Sequence, residues 1–290
     1  MRVVHAPTQL ERRPRAVALG TLDGVHRGHL SVIRAVLGSG LEPTVITLDP
    51  HPRIALGNRV DLISTLERRL ELLEAAGVAE TLVAAFTPEF MRLNPAEFVA
   101  TYLDGIGARA VAAGDNFRFG HRREGTLETL ADLGLDVLPV EQVPGVSSSA
   151  IREAVRSANL VGAATMLGRP FELDGTVVAG HQRGGTLGYP TANIALGADL
   201  VCPRFGIYAG SALGHRAAVS IGTNPHYGGT ERRIEPYLLD FDGDLYGKRL
   251  VVELWERLRD EEAFASEAEL VAQIARDVEA TRAAVRPVRD

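Results

Sequence analysis

The stretch Ala16-Val17-Ala18-Leu19-Gly20-Thr21-Leu22-Asp23-Gly24-Val25-His26-Arg27-Gly28-His29 decides the fold of the first half of the chain. Residues 16–20 are apolar without polar alternation, which predicts a strand buried on both faces of a parallel sheet. A helical pattern follows over 29–37. The loop between them leaves the carboxyl end of the strand, the side on which open α/β sheets hold ligands. Gly20, Gly24 and Gly28 let backbone approach a ligand closely. His26 and His29, three apart at a helix start, share one face and point at whatever sits on the positive end of that helix. In-line attack on an α-phosphate builds charge on its non-bridging oxygens, and two imidazole donors stabilise that charge without a covalent intermediate. A surface pair or a metal pair would show the same four letters. Position after a buried strand favours a phosphate.

The alternation continues outward. Apolar runs at 44–48, 81–85, 108–113 and 136–140 are followed by helical patterns at 65–76, 95–103, 124–133 and 149–156. This order predicts a Rossmann-like α/β domain. After about residue 167, turn signals separate short runs of alternating or β-branched character at 175–178, 206–213, 217–221, 234–241 and 249–255, the pattern of a small antiparallel β-barrel. A C-terminal helix over 266–284 closes the chain, with Leu270, Ile274, Val278 and Thr281 on one stripe and Ser266 with Glu269 as a capping box. The boundary falls near 159–168, giving domains 1–160 and 161–290.

The length of 290 residues suits two domains of roughly 150 each. With 46% hydrophobic and 23% charged residues, the chain buries a core and is neither disordered nor fibrous. Its 31 Lys+Arg against 37 Asp+Glu give a net charge of −6, so no global positive field attracts nucleic acid. Cys202 is the only cysteine, which excludes an internal disulfide and a multi-cysteine zinc site. No apolar run approaches the ~18 residues of a membrane span, and the basic N-terminus lacks the apolar stretch of a secretory signal. The expectation is a cytoplasmic protein without membrane or nucleic-acid partners, a monomer or weak homo-oligomer.

Three more stretches carry chemistry. In Val146-Ser147-Ser148-Ser149-Ala150-Ile151-Arg152, serines opening a helix offer hydroxyls and free N–H groups, with Arg152 one turn in; a plain N-cap reads the same way. In Gly184-Gly185-Thr186-Leu187-Gly188-Tyr189-Pro190-Thr191-Ala192-Asn193, Thr191 and Asn193 put two small oxygen-bearing side chains on one face of an extended segment, where they can hold magnesium and a γ-phosphate oxygen; the alternative is a polar hairpin loop. Glu235, near the start of the run 234–241, is placed to take a proton from a substrate hydroxyl as it attacks a γ-phosphate, although strand glutamates are usually just solvated.

Gly-x-Leu-Asp-Gly-Val-His-x-Gly-His at 20–29 together with Ser-Ser-x-x-Ile-Arg at 147–152 resembles the signature pair of the HxGH nucleotidyltransferase superfamily. Asp49-Pro50-His51-Pro52 and Gly114-Asp115-Asn116-Phe117-Arg118-Phe119-Gly120 narrow this to the adenylyltransferase half of the bacterial bifunctional riboflavin kinase/FAD synthetase family. Leu-Gly-Tyr-Pro-Thr-Ala-Asn, Ile221-Gly222-Thr223-Asn224-Pro225, and Glu235 followed by Leu238-Leu239-Asp240-Phe241 resemble its riboflavin kinase module. The resemblance implies that the second half phosphorylates riboflavin to FMN and the first half adenylylates FMN to FAD with release of pyrophosphate, each using ATP with Mg2+. It implies that His26 and His29 contact the ATP phosphates, within a phosphate-binding set that includes Gly20, Asp23, Gly24, Gly28, Ser147, Ser148 and Arg152. Asn116 and His51 lie toward FMN, though a solvent-exposed role for His51 is equally open. In the second half, Gly188, Thr191 and Asn193 hold Mg-ATP, Glu235 is the catalytic base, and Arg259 and Glu261 belong to a flavin-side loop.

The chain departs from that family at several places. Leu22 and Leu48 replace the usual phenylalanines, Asn116 an aspartate, Gly185 a basic residue, and His226-Tyr227 a Thr-Phe pair. Pro236 lacks an N–H and predicts an edge strand or bulge. Glu67-Arg68-Arg69 reads as the wet face of a helix, Trp255 as core or barrel lining, and 240–244 as a turn rather than a calcium loop. Two other readings stay open: one half kept only as a regulatory module, or a non-catalytic flavin carrier.

Overall fold

A computed structural model describes residues 1–179, 187–197, 200–223 and 232–287. The expected features at Gly184, Gly185 and Thr186, at Asn224 and Pro225, and at His226 and Tyr227 lie outside the described residues. The chain divides into two compact units, residues 1–60 with 66–146, and residues 61–65 with 147–290.

In the first unit, β1 (Arg2–Val4), β2 (Arg15–Leu19), β3 (Glu42–Asp49), β4 (Glu80–Ala85), β5 (Ala108–Ala112) and β6 (Asp136–Val137) form one sheet in the order β1-β4-β3-β2-β5-β6. Every pairing is parallel. The apolar runs become central strands because both faces are covered. Ala16 and Ala18 of β2 pack with α1 (Arg27–Leu37) on one side, and Val17 and Leu19 pack into a second cluster on the other. Five further α-helices belong to the described residues of this unit: α2 (Pro52–Ala55), α3 (Leu66–Ala75), α4 (Pro88–Arg92), α5 (Pro95–Phe98) and α6 (Leu127–Asp132), the last before β6. The chain leaves β2 toward β3 on one side and leaves β5 toward β6 on the other, so the carboxyl ends of β2 and β5 flank a topological switch point, where open α/β sheets form their ligand crevice.

In the second unit, α7 (Ser148–Arg156) and α8 (Leu160–Leu167) precede six antiparallel strands: β7 (Phe171–Val178), β8 (Asn193–Leu196), β9 (Gly206–Ala212), β10 (His215–Thr223), β11 (Arg232–Leu238) and β12 (Arg249–Arg259). Their order is β11-β10-β9-β12-β7-β8. Ala192 N–H donates to the Pro236 carbonyl at 3.0 Å, joining the two end strands into a nearly closed barrel. Pro236 is tolerated because β11 is an end strand. The helix α9 (Glu267–Ala283) buries Val278 and Thr281, as its stripe predicts, and Ser266 accepts from Glu269 N–H at 3.2 Å. The Glu269 carboxylate reaches Ala265 N–H rather than that of Ser266, so only half of the expected capping box forms.

One expectation is overturned. Arg69 is 0% exposed, so the segment 67–69 is not simply a wet helix face.

Candidate functional sites

The loop after β2 is held in an unusual backbone path. Leu22 (φ 53°) and Val25 (φ 39°) adopt left-handed conformations that cost non-glycine residues energy, and Gly24 (φ 78°) lies between them. Leu22 and Val25 are both 2% exposed and anchored in the core beneath α1, which fixes the loop despite the strain. His26 caps α1, its Nδ1 accepting from His29 N–H at 3.3 Å. That bond leaves the proton of the neutral ring on Nε2. The two imidazoles stack with centroids 3.5 Å apart and planes at 17°. A Cβ on Gly28 would stand 3.2 Å from His26 Cε1, so glycine leaves room for the stack.

At the switch point a cavity of about 720 Å³ opens, within the usual size of small-molecule sites. Gly20 and Thr21 form its wall nearest the histidine loop, and His51 and Asn116 line it as well. Much of the remainder is aromatic: Phe90 meets Phe98 edge-on at 5.9 Å, and Phe117 stacks with Phe119 at 5.8 Å. Phe119 and Gly125 exchange two backbone hydrogen bonds, of 3.1 and 2.9 Å, that close the loop after β5. Gly125 is required there, since a Cβ would come 2.5 Å from the Phe119 ring. His51 caps α2, with Nδ1 accepting from Arg53 N–H. Leu48 borders the cavity, whereas Leu22 is core, so the first of these substitutions changes pocket shape and the second changes packing.

Arg69 is the residue of this unit that sequence reasoning missed. It occupies the i+3 position of a stripe made by Leu66, Leu70 and Leu73, a placement that signals burial. Its Nη1 donates to Thr47 Oγ1 at 3.3 Å and to the Leu48 carbonyl at 3.2 Å.

In the second unit, Ser147 caps α7, accepting from Ala150 N–H at 3.1 Å, and Ser148 is the first helical residue. Arg152 is 8% exposed, and its Nε donates to the Asp61 carbonyl at 2.6 Å. Gly188 (φ 84°) takes a left-handed turn before the Thr191-Ala192-Asn193 segment. The bond from Ala192 to Pro236 lays that segment alongside β11 at the residue after Glu235, and the Tyr189 and Tyr237 rings meet edge-on at 5.4 Å. Glu235 is half-buried and 3.5 Å from Arg233. The Glu261 carboxylate lies where a Cβ on Gly222 would be. Burial raises the pKa of Glu261 above the usual carboxylate range; Arg259 opposes the shift and the charge of Glu235 adds to it. Arg259 itself is turned away to a bidentate pair with Asp277 of α9, at 2.8 and 2.7 Å, which raises its pKa. The Arg259 guanidinium thus fastens the loop to α9.

Thr191 and Asn193 are oxygen donors of the kind magnesium takes, and they are few, as expected for an ion that arrives with nucleotide phosphates rather than in a protein cage. Among the described residues no cluster of three or more His, Cys, Asp or Glu forms a metal site of its own. No described helix is long and apolar enough to cross a membrane.

Comparison with known proteins matches an FAD synthetase family model to residues 8–157 and a riboflavin kinase model to residues 167–285. A bifunctional riboflavin kinase/FMN adenylyltransferase of Listeria monocytogenes is 34% identical, covering 95% of this chain and 94% of its own length. The Escherichia coli K12 protein of the same description is also 34% identical, covering 96% and 95%. A solved structure described as a macrolide-efflux protein from Streptococcus pneumoniae superposes with a TM-score of 0.84 at 32% identity, over 97% of this chain and 98% of that one.

Proposed function

Because the chain belongs to the family of bifunctional riboflavin kinase/FMN adenylyltransferases, with the FAD synthetase half first and the flavokinase half second, we propose a division of labour among its residues. The family assignment makes it an enzyme of flavin cofactor synthesis with two activities: ATP-dependent phosphorylation of riboflavin and adenylylation of FMN to FAD. The observation that carries the residue-level reading is the backbone bond from Ala192 to Pro236, which lays the Thr191–Asn193 segment beside the strand that bears Glu235.

In the barrel half, Glu235 takes the proton of the riboflavin hydroxyl as that oxygen attacks the γ-phosphorus of ATP, the bond to the β,γ-bridging oxygen breaks, and ADP leaves. Thr191 and Asn193 hold the nucleotide phosphates and their Mg2+, and Gly188 gives the chain its turn there. Magnesium, when bound, neutralises charge on the transferring phosphoryl group. Glu261 lies on the flavin side, and Arg259 serves it indirectly by anchoring the loop.

In the Rossmann-like half, the FMN phosphate attacks the α-phosphorus of ATP and pyrophosphate leaves. The stacked His26 and His29 present imidazole N–H groups to the oxygens that gain charge, beside the N-terminus of α1. Gly20, Asp23, Gly24 and Gly28 shape that loop. The aromatic cavity takes the isoalloxazine ring, with Asn116 and His51 in its wall. Ser147, Ser148 and Arg152 are assigned to ATP phosphate binding. The kinase product is the substrate of the half that precedes it in sequence, so FMN leaves one site and enters the other. We place the enzyme in the cytoplasm, where ATP and riboflavin are both available.

Incubation of the protein with riboflavin, ATP and magnesium, with the flavins separated over time, tests the scheme. FMN that rises and then passes into FAD is the expected result. FMN accumulating alone would reduce the first half to a regulatory module, and no conversion would leave a flavin carrier.

A further inference from the structure

The β2–α1 loop and the end of β3 are tied together from beneath by a single side chain. Thr47 Oγ1 donates to the Thr21 carbonyl at 2.8 Å, and the same oxygen accepts from Arg69 Nη1, which also holds the Leu48 carbonyl. A continuous chain of hydrogen bonds therefore runs from α3 through β3 to the first residue after Gly20. Arg69 is fully buried, and Asp23, 2% exposed, belongs to the strained loop whose path sets the His26–His29 stack. The nearby carboxylates whose charges act on Arg69 are those of Asp23, in the loop after β2, and Asp49, at the end of β3. Within the described residues, Arg69 Nε and Nη2 have no hydrogen-bond partner. A fully buried cation with unmet donors is costly to keep, and leucine at this position of the stripe would simply extend the core.

We propose that Arg69 is a positioning residue for adenylyl transfer: its buried guanidinium holds the loop bearing Asp23 and the segment 47–49 in the one arrangement that aims His26 and His29. It touches neither nucleotide nor flavin. It acts through its hydrogen bonds to Thr47 and the Leu48 carbonyl, and its charge offsets those of Asp23 in the loop and Asp49 at the end of β3. An error of about 1 Å in such a constellation is enough to cost a hundredfold in rate. This inference rests on the assignment of FMN adenylylation to the first half, and the wild-type protein tests that assignment separately.

The experiment measures FAD formation from supplied FMN and FMN formation from riboflavin in the full chain, for wild type, Arg69→Met and Arg69→Lys. Arg69→Met is expected to lower kcat for FAD formation at least thirtyfold, with KM for FMN within threefold of wild type and riboflavin phosphorylation unchanged. Arg69→Lys, which keeps the cation, is expected to recover to within about fivefold of wild-type kcat. If Arg69→Met does not fold, the lysine variant carries the test. A folded Arg69→Met with wild-type kcat overturns the proposal, as does a folded Arg69→Lys no more active than background. No FAD from the wild-type protein would instead overturn the functional assignment.

Discussion

Arg15 Nε donates to Glu80 Oε2 at 2.8 Å with both side chains out of solvent, an ion pair that joins β2 to β4 across the intervening β3. Burial pushes the Glu80 carboxyl upward, but the Arg15 hydrogen bond and the charges of Arg15 and Arg13 outweigh it, and the pKa lies below the usual range. A carboxyl depressed in the folded state contributes stability above its unfolded value, about 4.3, and loses that contribution as pH falls through the folded value. Glu80→Ala leaves Arg15 buried without its partner and is expected to cost about 3–5 kcal/mol at pH 7. The difference from wild type should shrink below about pH 4. Urea unfolding followed by far-ultraviolet circular dichroism checks this, and an unchanged midpoint at pH 7 would refute it. Trp255, the sole tryptophan, reports on the second unit independently.

Glu235→Gln keeps the shape of the barrel site and removes the base. Riboflavin phosphorylation is expected to fall by at least about a hundredfold, while FAD formation from supplied FMN stays at the wild-type rate. Loss of both activities in a folded variant would contradict two independent sites.

The parallel strands of the first unit were legible because they carry their own signature. Residues 16–20 are apolar on both faces and 44–48 interrupt an apolar run only with threonines, which a sheet covered by helices on both sides accommodates. The edge strand β1 was not legible: three residues long with Arg2 and Val3 exposed, it exists because Arg2, Val3 and Val4 pair with Glu80, Thr81 and Leu82. Likewise Asn193–Leu196 reads as the tail of a polar loop until pairing with β7 makes it β8. Of the site, the histidine loop and the segment at Thr191 were visible as motifs. Arg69 was not, because charge outweighed periodicity in reading α3, although Leu66, Leu70 and Leu73 place it on the inward stripe. Arg259 also reads differently in three dimensions, since Asp277, eighteen residues on, occupies its guanidinium.

Gly222→Ala tests the approach of Glu261 to β10. The new methyl would coincide with the Glu261 carboxylate, which must then move from its place near Glu235. Kinase activity is expected to drop by roughly tenfold or more, the cost of misplacing a group at the reacting centre. FAD formation from FMN should not change. An unaffected kinase would show that Glu261 has no part in the site.

Cys202 is buried, and burial pushes its thiol up to about 11, with the charge of Arg232 opposing the shift. At pH 7 only about one molecule in ten thousand carries the thiolate, the form that reacts. Iodoacetamide at neutral pH is expected to leave the native protein unlabelled by mass spectrometry and both activities intact, whereas the urea-unfolded chain should label fully. Rapid labelling of the native protein would contradict the buried placement.

At Gly28 the adenylyltransferase site has little room to spare. A methyl there stands 3.2 Å from His26 Cε1 and 3.3 Å from Nδ1, closer than a relaxed contact, so the ring must give by a few tenths of an ångström. His26 cannot yield freely, because its Nδ1 caps α1 and its face lies on His29. Gly28→Ala is therefore expected to lower FAD formation roughly tenfold, and the bulkier Gly28→Val by about a hundredfold or more. Neither change touches the barrel unit, so FMN should accumulate from riboflavin at the wild-type rate in the same reaction. A Gly28→Val protein that still converts FMN to FAD at the wild-type rate would show that the stacked imidazoles are not what the reaction depends on.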